Sequence, residues 1–446
     1  MAIKVGMVSL GCPKNQVDAE ILMGLLRQDG FELTPDAGLA DVVVVNTCGF
    51  IESAKQESIE NILEFCQLKK EGRIKCVVAT GCLAERYREE LVKEIPELDV
   101  VLGIGSNEQI AAAVRTALDG KKSVLFDAKK EDLPLNGGRV LSTLPFYAYL
   151  KIAEGCDNRC SYCAIPMIRG RFRSREMADI LEEARWLSEN GVTEVVVVAQ
   201  DTTRYGEDLP GGETLAALLT ELCKIDGFRW IRVLYCYPER ITDELLEVFA
   251  REEKLVKYLD IPLQHANGRV LRAMNRHGDR QELTALMKKI RDKVPGIVLR
   301  TTLIAGFPGE TPEEFEELCE FVNDIRFERL GCFAYSQEEG TPAGRMKDQI
   351  EEEEKIRRAE LIMEQQMFIM NDYNEAQVGN VLTAVVEGYD RYAQAFFGRT
   401  AMDAPDIDGK IFFTSPKPLS IGQYVGVQVD EVLDYDLMGE AVEFDR

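Results

Sequence analysis

The chain has 446 residues, 46% of them apolar, and a formal net charge of −24. That length predicts roughly three domains with ample material for buried cores, and the acidic balance argues against a general nucleic-acid binder and fits a basic partner. Residues 1–5 lead straight into a strand pattern and no apolar run reaches transmembrane length, so a soluble, cytoplasmic protein with no membrane partner is expected. Twelve cysteines in a reducing compartment predict metal binding or catalysis rather than disulfides, and two histidines argue against a His-based metal site.

Over the first third, strands are predicted at 3–10, 41–45, 75–79 and 99–102, and helices at 16–28, 51–68 and 108–118. Val-rich strands alternating with helices predict a parallel α/β domain over residues 1–125. Cys12, Cys48 and Cys82 each fall just past the C-terminal end of one strand, beside a Gly or Pro that opens the turn. Ligands bind at that edge of open α/β sheets. The three thiols are therefore expected to converge on one crevice and to hold a [4Fe-4S] cluster. Cys66 and Cys76 fall inside a helix and a strand and read as packing.

Residues 121–145 mix charge, Gly-Gly and Pro and read as a linker with one short strand, the linker proper at 126–142. Six β/α units are expected over 143–375. The strands are at 147–153, 192–200, 230–236, 258–263, 298–305 and 330–335. The helices are at 176–190, 213–225, 241–252, 280–294, 312–325 and 351–373. Six units fall short of the eight that close a barrel, so a partial barrel with its site at the C-terminal strand ends is expected. After the first strand comes Glu154-Gly155-Cys156-Asp157-Asn158-Arg159-Cys160-Ser161-Tyr162-Cys163. Its C-x3-C-x2-C spacing suits three corners of a cubane iron–sulfur cluster and leaves the fourth iron open. Clusters made for electron transfer normally have four Cys ligands. A structural zinc site would need a second Cys or His pair nearby, and none follows. Cys223, Cys236, Cys319 and Cys332 lie in predicted helices or strands and lack cluster spacing.

This loop, with Tyr162 before its third cysteine and a six-unit crescent behind it, resembles the radical SAM superfamily. The resemblance implies that S-adenosylmethionine occupies the open iron and is split by an electron from the cluster. Cys156, Cys160 and Cys163 then form the catalytic set. Tyr162, Gln200 and Asp201 are implied cofactor contacts. So are Gly306, Phe307, Gly309 and Glu310 in the turn after the fifth strand, where glycine permits close backbone approach. Arg169, Arg171, Arg173 and Arg175 suit either a carboxylate-binding cluster or a solvated surface. His265 reads equally as a site residue or a structural one.

Beyond the last helix, short strands at 381–387, 395–399, 410–414 and 424–433 predict a small antiparallel β-barrel over 376–446, which resembles the TRAM domain. The whole combination resembles the methylthiotransferases. In that family the second cluster carries or delivers sulfur, one S-adenosylmethionine supplies a methyl group, and another generates the radical that abstracts hydrogen. Known branches modify a tRNA adenosine or an aspartate of ribosomal protein S-twelve. Residues 376–446 hold five Lys/Arg and twelve Asp/Glu, a balance of −7. Asp403, Asp406, Asp408, Asp430, Glu431, Asp434 and Asp436 crowd the stretch from 403 to 436. A tRNA-gripping domain should be basic, whereas an acidic one suits a basic ribosomal protein. With the stretch 398–409, this resembles the RimO branch. That implies methylthiolation of an aspartate β-carbon, ribosomal protein S-twelve as partner, and an electron donor such as flavodoxin or ferredoxin. The tRNA branch is the runner-up. A non-enzymatic two-cluster electron carrier is a third reading, opposed by two sets of only three cysteines.

Overall fold

A computed structural model describes residues 2–126, 129–130 and 136–443. Residues 127–128 and 131–135 of the expected linker lie outside the described residues. The first sheet has strands β1 (Lys4–Ser9), β2 (Glu32–Thr34), β3 (Val42–Thr47), β4 (Cys76–Gly81), β5 (Val100–Leu102) and β6 (Ser123–Leu125). They are all parallel, in the order β2-β1-β3-β4-β5-β6. Helices α1 (Pro13–Gln28), α2 (Glu52–Lys70), α3 (Cys82–Glu94) and α4 (Ile110–Leu118) connect them. Strands β3 and β4 are buried at every position. A strand covered on both faces needs an unbroken apolar run, and each buried valine contributes on the order of 1.5–3 kcal/mol. The strand order reverses between β1 and β3, and such a reversal opens a crevice at the C-terminal edge.

The second sheet uses β7 (Tyr147–Lys151), β10 (Glu194–Val198), β11 (Trp230–Val233), β12 (Leu255–Asp260), β13 (Val298–Ala305) and β14 (Arg329–Ala334). A short antiparallel ribbon, β8 (Ala153–Glu154) with β9 (Arg173–Ser174), lies between β7 and β10 in the chain. The order is β14-β13-β12-β11-β10-β7, all parallel, with β7 and β14 left unpaired to one another. This is the expected six-stranded open crescent. Its helices are α5 (Ile165–Arg169), α6 (Met177–Glu189), α7 (Leu215–Cys223), α8 (Asp243–Arg251), α9 (Gly268–Ala273), α10 (Arg280–Lys293), α11 (Pro312–Ile325) and α12 (Glu352–Glu375). Side chains alternate across each strand. Ala148, Leu150, Val195 and Val197 pack with the outer helices, while Tyr147, Tyr149, Val196 and Val198 form a separate core on the other face.

The third unit is a closed barrel of β15 (Val381–Asp390), β16 (Ala395–Thr400), β17 (Ile411–Thr414), β18 (Tyr424–Leu433) and β19 (Asp436–Val442). Its pairings are antiparallel except β17 with β19, which is parallel. The barrel docks at the N-terminal ends of the crescent strands. Val385, Ala404 and Tyr424 join the core of Tyr147, Trp230, Tyr258 and Val298, and Tyr424 meets Trp230 edge-on at 4.8 Å.

Charged groups also cross this seam. Glu194 accepts from Arg399 at 2.7 Å and from Arg232 at 3.1 Å. Asp403 pairs with Arg329 at 2.7 Å, and Asp408 with Arg300 at 3.4 Å. The Tyr147 and Tyr258 hydroxyls donate to Asp406 and Asp408. The acidic run at 403–408, read from the sequence as part of a partner-facing charge, is thus committed to the protein's own arginines and tyrosines. Asp430, Glu431 and Asp434 remain exposed on the β18–β19 hairpin.

Candidate functional site

Cys12 precedes α1, Cys48 follows β3 and Cys82 opens α3. Cys12 and Cys48 therefore flank the reversal in strand order, with Cys82 beyond the next strand. Gly11 has φ +88°, and a Cβ there would lie 2.8 Å from the Cys48 sulfur. Only glycine allows that approach. The Asn15 amide donates to the carbonyls of Leu10 (2.7 Å) and Thr47 (3.2 Å), and the Asn46 amide donates to the Asn15 carbonyl at 2.7 Å. These bonds lock the two strand ends together. Ser58 fixes the Cys48 turn, accepting from the Cys48 N–H and donating to its carbonyl. Burial pushes the Cys82 thiol up to about 12 and raises Cys48 as well. At Cys12 burial acts in the same sense, but Lys14 and Arg169 outweigh it and hold the thiol below its ordinary value. Metal ligation by such thiols releases protons. We expect Gly11→Val to strip iron from this site, because it adds left-handed strain of about 1–2 kcal/mol to the collision with Cys48. Iron analysis of the purified variant checks this.

The second cysteine loop follows β8. Gly155 has φ +72°, and a side chain there would collide with the Arg171 carbonyl. The Cys156 N–H donates to the Gly170 carbonyl (3.2 Å), and the Cys163 N–H to that of Cys160 (3.0 Å). Ser161 ties the loop to the end of α9, donating through its hydroxyl to Ala273 and through its N–H to Met274. The Tyr237 hydroxyl lies 2.8 Å from the Cys160 sulfur. Arg276 stacks over the Tyr237 ring at 4.1 Å, donates to the Pro262 carbonyl at 2.6 Å and places its other nitrogen 3.9 Å from that sulfur. Hydroxyl and guanidinium donors of this kind stabilise a thiolate.

The structure gathers the expected cofactor contacts unevenly. The Gln200 amide donates to Glu154 (3.0 Å), and Asp201 accepts from Asn158 (2.8 Å) and Thr203 (2.6 Å), so both adjoin the cysteine loop. Burial raises the Asp201 carboxyl despite these donors. Tyr162 packs against the cluster of Phe307, Tyr335, Val270, Met274 and Ala343, which brings the Gly306–Glu310 turn to the same loop. The Glu310 carboxylate accepts from the Gly306 and Phe307 N–H groups and from Arg358, with His265 3.4 Å away. It holds the turn in shape. Gly309 follows in the same turn, its N–H donating to the Asp348 carbonyl. His265 is fully buried and accepts from the Asn267 N–H, the structural alternative.

The four arginines do not form one cluster. Arg171 is exposed beside Asp157, and Arg173 donates to the Lys130 carbonyl. Arg175 is buried with Glu183. Arg169 is buried among Asp18 (2.8 Å), Glu154 (2.9 Å) and Asn15 (3.1 Å). Lys151 completes that network, pairing with Asp18 at 2.5 Å and Glu154 at 2.8 Å. Two cations balance two carboxylates there. Burial disfavours the Glu154 carboxylate, yet Arg169 and Lys151 outweigh it and hold the group well below its ordinary value.

The same segment joins the two thiol sets. Cys163 lies just before α5, Cys82 packs on Ala164 and Ile168, and Arg169 donates to the Cys82 sulfur at 3.4 Å. The five residues of α5 span about 7.5 Å, and this one short helix lies against both sites. Among the described residues no three His, Cys, Asp or Glu side chains close on a single metal ion. A cubane does not require that, because each thiolate takes a separate iron. Among the described residues each set offers three thiols, and that donor chemistry fits a [4Fe-4S] cluster at each.

Residues 150–322 match the radical SAM superfamily, which gives the class of the central crescent. Residues 4–103 match the family described as Uncharacterized protein family UPF0004, and 378–442 match the TRAM domain. The chain is 49% identical to the ribosomal protein uS12 methylthiotransferase RimO of Desulforamulus reducens, over 98% of this chain and 99% of that one. It is 47% identical to the protein of the same name from Clostridioides difficile, over 99% of each. The chain belongs to the RimO family of ribosomal protein uS12 methylthiotransferases. Among solved structures, the radical S-adenosylmethionine methyltransferase TsrM from Kitasatospora setae, with cobalamin and a [4Fe-4S] cluster bound, shares the fold. Its TM-score is 0.57 at 15% identity, covering 77% of each chain.

Proposed function

We infer that this chain methylthiolates ribosomal protein uS12, at the β-carbon of an aspartate. The observation that carries the reading is the pair of three-thiol sets brought together at α5, which follows Cys163 and packs on Cys82, in a chain that matches RimO proteins along nearly its whole length. When bound, the cluster on Cys156, Cys160 and Cys163 supplies the electron that cleaves S-adenosylmethionine, and the cluster on Cys12, Cys48 and Cys82 supplies sulfur. The chain's own residues hold and shield these sites. Tyr237 and Arg276 steady Cys160. Gln200, Asp201 and Asn158 brace the cysteine loop where the cofactor would lie, and Tyr162 with Phe307 and Tyr335 excludes water beside it.

A single-electron donor such as flavodoxin or ferredoxin would complete the cycle, in the cytoplasm. Among the described residues no helix is long and apolar enough to cross a membrane. The exposed acids Asp430, Glu431 and Asp434 suit a basic protein better than tRNA. The residue ranges 1–125, 143–375 and 376–446 divide the work into sulfur delivery, radical generation and substrate approach.

The test is mass spectrometry of uS12 after incubation with the reconstituted enzyme, S-adenosylmethionine and a reductant. The mass increment of a methylthio group on one aspartate is expected, and its absence with both clusters loaded would refute the reading. Cys48→Ala should keep cleavage of S-adenosylmethionine, lose roughly half the iron by removing one of the two clusters, and yield no methylthio product.

A further inference from the structure

The described residues contain a set of buried lysines and arginines, and nearly all of them pair with a carboxylate. Arg276 and Lys14 do not. Arg276 has the Pro262 carbonyl and the Cys160 sulfur. Lys14 is 6% exposed, and its ammonium sits 3.3 Å above the ring centre of Tyr235. A buried charge without a counter-charge costs several kcal/mol, and a desolvated cation–π contact returns only about 2 kcal/mol. Its anionic neighbour is the thiolate form of Cys12, and among the described residues it has no carboxylate partner of its own, so an incoming carboxylate would offset the remaining cost.

Its place in the fold says which anion. Lys14 is in the first turn of α1, two residues after Cys12. Tyr235 lies just past the C-terminal end of β11, on the segment whose Tyr237 touches Cys160. One short segment thus reaches both thiol sites. Tyr235 adopts φ +63°, a genuine outlier for a bulky side chain. It is held there from both sides. The Asp260 carboxylate accepts from its N–H at 2.9 Å, and Thr202 donates to its carbonyl through N–H and hydroxyl. Strain fixed in this way clusters where a ligand is gripped.

We propose that Lys14, seated on Tyr235 between the two thiol sites, binds the side-chain carboxylate of the substrate residue that receives sulfur. This rests on the uS12 reading above and deepens it. A neutral nucleobase would leave the ammonium uncompensated, whereas a carboxylate supplies the missing charge and fixes the neighbouring carbon between the sites.

The test uses the reconstituted holoenzyme and two uS12 proteins, one with the target aspartate and one with asparagine in its place. Binding is read by titration, alongside iron content and the electron paramagnetic resonance of both clusters. The wild type should prefer the aspartate form by about tenfold or more. Lys14→Met and Lys14→Gln should bring that ratio close to one with both cluster signals intact, and Lys14→Arg should restore part of it. Retention of the preference in Lys14→Met would overturn the proposal. So would loss of the second cluster in Lys14→Met and Lys14→Gln but not in Lys14→Arg, which would assign the charge to the cluster. If the wild type neither binds nor modifies the aspartate form, the uS12 reading fails instead.

Discussion

Cys156→Ala is expected to abolish cleavage of S-adenosylmethionine, by at least about 1000-fold, or ~4 kcal/mol of barrier, and methylthiolation with it. Two thiols, Cys160 and Cys163, cannot hold three corners of a cubane. The surrounding braces worsen the loss, because Tyr237 and Arg276 are set to serve a thiolate at Cys160. The control is Cys66→Ala, which removes a buried sulfur from α2 and should leave iron and cleavage unchanged. Cleavage by Cys156→Ala at the wild-type rate would show that the cluster is held elsewhere.

The second large effect concerns stability. Glu194→Leu removes the carboxylate shared by Arg232 and Arg399, all three buried. Losing one partner of a buried ionic group typically costs about 3–5 kcal/mol. Arg232 would keep the Ala401 carbonyl and the Tyr258 ring but no acid, and Arg399 would keep Glu387 and the Asp403 carbonyl. Trp230 sits at this seam against Tyr424, and the chain has only two tryptophans. In a Trp186→Phe background its fluorescence reports undocking of the barrel, and the denaturant midpoint should drop accordingly. The pH dependence has a definite sign. Burial disfavours the Glu194 carboxylate, but Arg399 and Arg232 outweigh it and hold the group below its ordinary value. Its contribution is therefore present above the ordinary glutamate range and fades as pH falls through the lowered folded value. Glu194→Leu should flatten that acid limb.

Much of this organisation was legible in the sequence because parallel strands covered on both faces must be apolar throughout. Residues 42–45 and 195–198 could hardly be anything else. The three-residue edge strands β2 and β6 carry too few positions for a period. The helix Cys82–Glu94 is polar and kinked at Arg88, and β19 is hidden in an acidic stretch. The six cysteines stood out by spacing and by their position after strands. Tyr235, Tyr237 and Arg276 did not, since each touches the site across a long gap in sequence, and neither did Lys14, whose partner Tyr235 lies as far away. Two signals were nonetheless available: the tyrosines follow a strand end, where ligands bind, and Lys14 shares a turn with Cys12. The acidic run at 403–408 was read by sign alone. Its partners, Arg300 and Arg329, stand in strands that pack inward, and a charge in such a strand demands a counter-charge.

That seam also limits how the protein can be re-engineered. Grafting a foreign barrel onto this crescent would leave Arg329 without Asp403, Arg300 with Asp260 but without Asp408, and Glu194 without Arg399. A chimera meant to redirect the enzyme to another target would then fail by loosening before substrate choice could be observed. Transplanting residues 398–409 with their arginines, as one cassette, keeps the joint closed while the rest of the barrel is exchanged.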